Sequence, residues 1–227
     1  MNPILEPAGD ALRIDVVSDV VCPWCYVGKR QLEAALERWR ATNPGAPEPQ
    51  VRWHPFQLNP DLPDEGMSRA DYLQMKFGTP DPAAIYQRVG AAARAVGLQP
   101  EFAKIARQPN TLRAHALIGA VQGDAQQAIV ERLFRAYFVE GADLTSRATL
   151  EALAREAGLP DAAVGAALDD GEARQQAAEA DAEARRLGVS GVPFFVIDGK
   201  AGVSGAQGAD ALLAAFGQAR GSASLPG

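Results

Sequence analysis

The first sixty residues contain two strand-like segments separated by a helix-like segment. The run LRIDVVSD at 12–19 is apolar and β-branched, which is typical of a strand. VRWHPFQL at 51–58 has the same character and predicts a second strand. Between them, from residue 22 to about residue 40, apolar positions recur at helical spacing: Leu32, Ala35, Leu36 and Trp39. The pattern therefore predicts a β-α-β unit.

Helical patterning fills the middle of the chain, from about residue 68 to residue 187, with almost no strand signal. Asn110 is predicted to cap one of these helices, and the acidic run at 179–183 is predicted to be a solvated helix face. A stripe at helical spacing predicts a buried face: Ile129, Val130, Leu133, Phe134, Tyr137 and Phe138.

Strand patterning returns near the C-terminal end. Phe194–Ile197 and Ala201–Ser204 flank Asp-Gly-Lys, which predicts a tight hairpin, and 207–218 predicts a last helix. The order is β-α-β, a helical block, then β-β-α. We expect residues 12–60 and 188–220 to be the two parts of one domain, with residues 61–187 inserted between them.

Composition and charge exclude several classes of function. The chain has 227 residues, 47% hydrophobic and 22% charged, and a net charge of −6. This mildly acidic chain has no basic run, so we expect it to bind neither nucleic acid nor an anionic membrane. No apolar stretch approaches the roughly 18 residues of a membrane span. The N-terminus lacks the pattern of a signal peptide, so the expected location is the cytoplasm.

The candidate chemistry lies where the first strand passes into the first helix, at C-P-W-C. Cys22 and Cys25 are the only cysteines. A thiolate is the nucleophile in disulfide exchange, and the start of a helix favours negative charge. Pro23 suits the first turn, where its missing N–H costs nothing, whereas Trp24 adds no charge. The spacing predicts an attacking Cys22 and a more buried, resolving Cys25.

Two other interpretations of the cysteine pair are weaker. A zinc site needs about four ligands, and only His54 and His115 are available to complete Cys₂His₂. These histidines are about sixty residues apart on unrelated elements, so we expect no metal. A structural disulfide is rare in a reducing compartment, and so short a loop would constrain little. Redox chemistry is favoured.

A second motif, SGVPFFV, places Pro193 at the start of a strand. Proline is tolerated there because it cannot donate to the strand ladder. The other interpretation is a cis Val192–Pro193 bond in a special turn. The residues alone leave both interpretations open.

Four segments together resemble thioredoxin-fold enzymes of the DsbA type, specifically the FrnE-like branch: SDVVCPWCYVGKRQLEAAL, VRWHPFQLNPDLP, NTLRAHAL and GVSGVPFFVIDGKAGVSGAQ. The resemblance implies an α/β thioredoxin-like fold with a large inserted all-helical domain. It implies that Cys22 is the nucleophile and that Cys25 resolves. It also implies that Pro193 is a cis-proline facing the pair, and that Val192 lends backbone groups to an extended substrate.

The same superfamily contains 2-hydroxychromene-2-carboxylate isomerases and kappa-class glutathione transferases, which typically carry serine at the position of Cys22. This chain keeps both cysteines, so we expect a cytoplasmic thiol-disulfide oxidoreductase or isomerase that needs no cofactor. The alternative is a glutathione-dependent isomerase or transferase, with glutathione near Val192 and Pro193. A third hypothesis is a chaperone-like binding module. Expected partners are protein or small-molecule thiols and disulfides, including glutathione, and the chain is expected to be a monomer or homodimer.

The remaining candidates are weaker. Asp15 or Asp19 is a candidate proton acceptor for Cys25, although an exposed aspartate at a strand is the favoured interpretation. His54 is either a site residue or a satisfied core histidine. By resemblance to the isomerases, Asn110 and Thr111 are candidates for a substrate pocket. His115 is interpreted as a packed helix residue.

Overall fold

The computed structural model describes Ile4 and residues 9–81, 83–169 and 171–221. The first elements are β1 (Arg13–Ser18), α1 (Pro23–Thr42), β2 (Gln50–Pro55), β3 (Met67–Ser68), α2 (Arg69–Phe77) and α3 (Ala83–Ala95). A 3₁₀ turn (Phe102–Lys104), β4 (Arg107–Gln108), α4 (Leu112–Gly119), α5 (Gly123–Arg135) and a π turn (Ala136–Glu140) follow. The last elements are α6 (Arg147–Glu156), α7 (Asp161–Asp169), α8 (Gly171–Arg186), β5 (Phe194–Ile197), β6 (Ala201–Ser204) and α9 (Ala209–Arg220).

The centre of the molecule is a four-stranded sheet in the order β2-β1-β5-β6. β1 pairs with β2 in parallel, while β5 is antiparallel to both β1 and β6. A parallel pair needs a crossover, and α1 supplies it. The predicted β-α-β unit and C-terminal hairpin are therefore confirmed, and one sheet unites both ends of the chain. The mixed α/β architecture is a thioredoxin fold with a helical insertion.

Helix α1 approaches β5 closely because Gly28 has no side chain. A Cβ atom at Gly28 would lie 2.9 Å from Pro193 Cγ and 3.1 Å from Phe195 Cζ. Both distances are shorter than ordinary carbon–carbon contacts. The absence of a side chain at Gly28 therefore determines how closely α1 packs against β5.

The helical middle of the chain contains one feature that the sequence did not reveal. β3 and β4 form a short antiparallel ladder, with Met67 opposite Gln108 and Ser68 opposite Arg107. Two-residue strands are too short to produce a detectable alternation. The predicted apolar stripe on α5 and the π turn is confirmed, because all six of its residues are buried.

The prediction for the acidic run at 179–183 is wrong at its centre. Asp181 is buried, accepts a hydrogen bond from Gln57 N at 2.9 Å and pairs with Arg185. A buried carboxylate with a backbone donor and a cation is stabilised rather than solvated. The carboxylate fixes the end of β2 against α8. Within the described ranges, no helix is both long enough and apolar enough to cross a lipid bilayer.

Candidate active site

The two cysteines lie at the junction of β1 and α1, as the sequence predicted. Cys22 is the N-cap residue of α1, and Pro23 occupies the first turn. Cys22 N donates to Asp19 O at 3.0 Å, and Cys25 N donates to Cys22 O at 3.0 Å. Both thiols are free, with 5% of Cys22 and 1% of Cys25 exposed. The unpaired N–H groups of the first turn favour negative charge where Cys22 sits.

The loop before β5 lies opposite Cys22. The Cys22 thiol donates to Val192 O at 3.6 Å, and the Val192–Pro193 peptide bond is cis. Pro193 O accepts a hydrogen bond from Gly205 N at 2.8 Å, which ties this loop to the end of β6. The structure thus brings together Val192, Pro193 and the thiol of Cys22, although they are 170 residues apart in the chain.

The environment of Cys25 keeps its thiol protonated. Burial raises the pKa of Cys25 well above its ordinary value, and its hydrogen bond and charge interaction with Cys22 raise it further. Ser18 and the backbone of Asp19 act in the opposite direction but do not reverse the shift. Cys25 therefore needs help to lose its proton.

The raised pKa of Cys25 predicts an alkaline loss of stability in the reduced protein. Between the ordinary thiol pKa of about 8.5 and the folded value, the unfolded chain has released a proton that the folded protein still holds. The free energy of unfolding therefore falls as pH rises, by about 1.4 kcal/mol per unit for one proton. Denaturant unfolding between about pH 8 and 10 measures this slope. The range lies below the pH at which an ordinary tyrosine is mostly ionised.

The matched control for this slope is Cys25→Ala, which removes the thiol without adding a charge. Burial raises the pKa of Tyr26 to about 12, so this tyrosine adds a slope of the same sign as pH approaches the ordinary tyrosine value of about 10. That contribution is the same in both proteins and cancels in the comparison. Equal slopes in the reduced protein and in Cys25→Ala would contradict the assignment of the proton to Cys25.

Asp15 and Asp19 are fully buried, so the favoured interpretation of exposed aspartates is wrong for both. Asp15 pairs with Arg13 at 2.8 Å, and its other oxygen lies 2.8 Å from His54 Nε2. Burial is tolerated because this carboxylate has a cation and a second hydrogen-bonding group. His54 is accordingly a satisfied histidine at the edge of the core, the second of the two interpretations that the sequence allowed.

Asp19 lies beside His115, which the sequence did not link to the site. Asp19 Oδ2 accepts from Leu58 N at 2.8 Å, and Asp19 Oδ1 lies 3.4 Å from His115 Nε2. Neither His115 Nε2 nor Asp19 Oδ1 has a hydrogen-bond partner among the described residues. No signal in the sequence indicates this pair, because His115 on α4 approaches Asp19 only through tertiary packing.

Both histidines of the chain line one small internal cavity of about 10 Å³. That volume holds about one water molecule. Ser18, which lowers the pKa of Cys25, lines the same cavity, and its Oγ has no hydrogen-bond partner among the described residues. The remaining lining residues are Val20, Trp53, Ile118, Val130 and Phe134. Ser18 and His115 are therefore two walls of one cavity. Within the described ranges there is no cluster of metal-ligating side chains.

Asn110 and Thr111 lie at the start of α4. The N-cap residue of α4 is Thr111 rather than the predicted Asn110. Asn110 Oδ1 nevertheless accepts from Leu112 N at 3.0 Å, and Asn110 Nδ2 donates to Leu62 O at 2.7 Å. Asn110 thus fixes the start of α4 and the loop after β2.

The side chain of Arg88, which the sequence did not identify as a site residue, lies beside the cysteine motif. The Trp24 side chain is half-buried, and the guanidinium carbon of the exposed Arg88 lies 5.8 Å from the centre of its ring. The distance is within the range of a cation–π interaction. Arg88 belongs to α3 in the inserted helices, 64 residues beyond Trp24, and nothing in its local sequence indicates this contact.

Comparison with known proteins places these features in a family. The family model of the DSBA-like thioredoxin domain matches residues 13–217. The uncharacterized protein YwbO of Bacillus subtilis is 28% identical over 204 residues, which are 88% of this chain and 92% of YwbO. The crystal structure of a probable DsbA oxidoreductase from Streptomyces coelicolor is 32% identical, with a TM-score of 0.80. The alignment covers 95% of this chain and 93% of that one.

Two more distant structures share the fold. A 2-hydroxychromene-2-carboxylate isomerase is 19% identical, with a TM-score of 0.69, over 91% of this chain and 95% of that one. The cytosolic disulfide reductase DsbM of Pseudomonas aeruginosa, solved with glutathione, is 21% identical, with a TM-score of 0.56. That alignment covers 81% of this chain and 84% of DsbM.

Proposed function

The chain belongs to the DSBA-like thioredoxin domain family, and from this premise we propose that it is a thiol-disulfide oxidoreductase acting through Cys22 and Cys25. The observation that carries the proposal is the inequality of the two thiols. Cys22 stands at the start of α1, where negative charge is favoured, while burial holds the proton on Cys25. This arrangement suits an attacking thiolate followed by a resolving thiol.

The reaction has two steps. In the first, the Cys22 thiolate attacks one sulfur of a substrate disulfide, a mixed disulfide forms, and the other substrate sulfur leaves as a thiolate. In the second, Cys25 loses its proton and attacks Cys22 Sγ, which releases the second substrate thiolate. The substrate disulfide gains two electrons, and the Cys22–Cys25 pair becomes a disulfide. An external thiol reverses these steps and restores the reduced enzyme.

The pair formed by His115 and Asp19 is the proposed proton acceptor for Cys25. Ser18 lowers the pKa of Cys25 and lines the water-sized cavity together with His115. Ser18 Oγ and His115 Nε2 are both buried without a hydrogen-bond partner among the described residues, so one water could bridge them. A proton can pass from Cys25 through Ser18 and one water to the imidazole, where the Asp19 carboxylate stabilises the resulting cation at 3.4 Å. His54 is less suited, because its Nε2 is already bound to Asp15.

Val192 and Pro193 are the proposed contact for an extended substrate, with Pro23 and Trp24 completing the surface around Cys22. Val192 O lies next to the Cys22 thiol and has only that S–H as its donor in the described contacts. Once Cys22 is a thiolate, the carbonyl is free to accept a backbone N–H of the substrate, which would hold the substrate sulfur near Cys22.

The rival function is that of a glutathione-dependent isomerase or transferase. Similarity to the isomerase extends to the fold alone. Two cysteines with unequal thiols favour the dithiol mechanism, since conjugation of glutathione does not need a resolving cysteine. We propose glutathione as a small-molecule thiol partner and the cytosol as the working compartment, in keeping with the name and the ligand of DsbM.

The test is the redox equilibrium of Cys22 and Cys25 in glutathione buffers, measured by thiol trapping and mass spectrometry. We expect a reversible internal disulfide. A potential near −270 mV, about that of thioredoxin, indicates a reductase, and one near −180 mV, about that of protein disulfide isomerase, indicates an isomerase or oxidant. A glutathione adduct on Cys22 with no internal disulfide would overturn the dithiol proposal in favour of the glutathione-dependent rival.

A further inference from the structure

The segment that carries Arg88 has the opposite charge to the rest of the protein. Residues 69–107 contain six basic side chains and three acidic ones, in a chain whose net charge is −6. The basic residues are Arg69, Lys76, Arg88, Arg94, Lys104 and Arg107, and the acidic residues are Asp71, Asp81 and Glu101. This basic segment comprises α2, α3, the 3₁₀ turn and the start of β4. It therefore creates a local positive field on an acidic protein.

The positive charges of the basic segment are not neutralised by neighbours. In the part of the chain that the structure describes, none of its six basic side chains forms an ion pair with a carboxylate, whereas Arg13, Arg132 and Arg147 elsewhere do. Arg69 instead donates to neutral groups, Gln108 Oε1 and the Tyr86 hydroxyl. Its bond to Tyr86 also ties α2 to α3.

The basic segment contacts the cysteine motif through Arg88. Arg88 is exposed and stacks over Trp24, which separates Pro23 from Cys25 in the motif. An exposed guanidinium in a cation–π contact keeps its N–H groups available for a carboxylate in its plane. The C-P-W-C motif contains no charged residue of its own, and Arg88 places a cation against its Trp24.

We propose that Arg88 is a specificity-determining residue that makes the protein prefer low-molecular-weight disulfides bearing carboxylates. The inference rests on the proposed thiol-disulfide exchange and names its substrate class. The guanidinium attracts a carboxylate that lies a few bonds from the scissile sulfur and holds it over Trp24 during attack by Cys22. The wider basic segment adds a long-range attraction that salt weakens.

Three small symmetrical disulfides of similar size but different charge provide the test: 3,3′-dithiodipropionate with two carboxylates, bis(2-hydroxyethyl) disulfide with none, and cystamine with two ammonium groups. The measured quantity is the second-order rate constant for oxidation of the reduced protein. Each constant is compared between variants, so that the intrinsic reactivity of each disulfide cancels. Experiments at about 10 mM and about 1 M salt separate charge effects from contact effects, because the Debye length falls from roughly 30 to 3 Å.

Arg88→Gln should lower the ratio of the dithiodipropionate constant to the hydroxyethyl constant by about three- to fivefold at low salt, the effect of one exposed ion pair. The cystamine ratio should rise, and both changes should shrink at high salt. Arg88→Lys should keep most of the preference. The matched control is Arg94→Gln, which removes one unpaired charge from the same helix away from Trp24 and should change the ratios by less than about twofold.

The outcomes separate this inference from the proposed function. Equal ratios in Arg88→Gln and Arg94→Gln, or a wild-type protein whose charge preference does not respond to salt, would overturn the specificity role while leaving the exchange reaction intact. Failure of the wild-type protein to react with any of the three disulfides would remove the proposed function, and this inference with it.

Discussion

Cys22→Ser should reduce disulfide exchange to the uncatalysed background. The first step requires a thiolate at the start of α1, and the serine hydroxyl does not ionise in the working range of a thiol. The measurement is reduction of a small disulfide under steady-state conditions with an external thiol as the reductant. The hydroxyl fits the space of the thiol and can still donate to Val192 O, so we expect the fold to be retained. Residual activity well above background would contradict the assignment of Cys22 as nucleophile.

Cys25→Ser is the complementary change, and it should arrest the reaction halfway. Cys22 still attacks, but no second thiol is present to release the product, so the mixed disulfide accumulates. Intact-mass measurement after mixing with a disulfide detects the adduct, and one adduct per chain is expected. In Cys22→Ser the same experiment should give none, since burial holds the Cys25 thiol protonated. A Cys25→Ser variant with unchanged turnover would instead favour the glutathione-dependent rival.

His115→Gln should slow the second chemical step by about a hundredfold, the lower end of the range for loss of a positioned general base. Glutamine lacks the imidazole that accepts the proton, while the first step needs no proton transfer at Cys25. Rapid-quench thiol trapping separates the two steps, because mixed disulfide builds up when only the second is slow. The rate of the second step should rise with pH in the variant, as hydroxide takes over the proton transfer.

His54→Gln is the matched control for this prediction. His54 lines the same cavity, but its Nε2 is bound to Asp15. His54→Gln should therefore slow the second step by less than about tenfold, compared with about a hundredfold for His115→Gln. Asp19→Asn keeps an oxygen for Leu58 N yet removes the charge beside His115, and it should share the phenotype of His115→Gln. Equal slowing by His54→Gln and His115→Gln would contradict the assignment of a specific proton acceptor.

Several buried polar atoms of the described residues lack a hydrogen-bond partner, and three of them are clustered near the cavity: Ser18 Oγ, Asp19 Oδ1 and His115 Nε2. A buried carboxylate oxygen and a buried ring nitrogen without partners cost free energy, and native proteins keep few of them. Asp15, four residues before Asp19, has both oxygens engaged by Arg13 and His54. The contrast with Asp15 is one reason to propose a functional use for Asp19 and His115.

Local patterning in the sequence determined the elements that surround the site. The strand before Cys22, the helix after it, and the hairpin at Phe194–Ile197 and Ala201–Ser204 are all where periodicity and turn residues predict them. These signals are local, because hydrophobic spacing, helix starts and tight turns depend on residues a few positions apart. The C-P-W-C motif and the resemblance to DsbA-type enzymes also came from the sequence, and the domain boundaries drawn from it stay a prediction.

Tertiary structure alone decided which side chains surround the two thiols. Asp15 and Asp19 are buried, the first beside Arg13 and His54 and the second beside Leu58 N and His115, which the alternation of β1 does not reveal. His115 meets Asp19, and Arg88 meets Trp24, across 96 and 64 residues of chain. The β3–β4 ladder and the buried Asp181 arise in the same way. Such contacts depend on how helices pack on the sheet, and packing is a property of the whole fold that no short window of sequence contains.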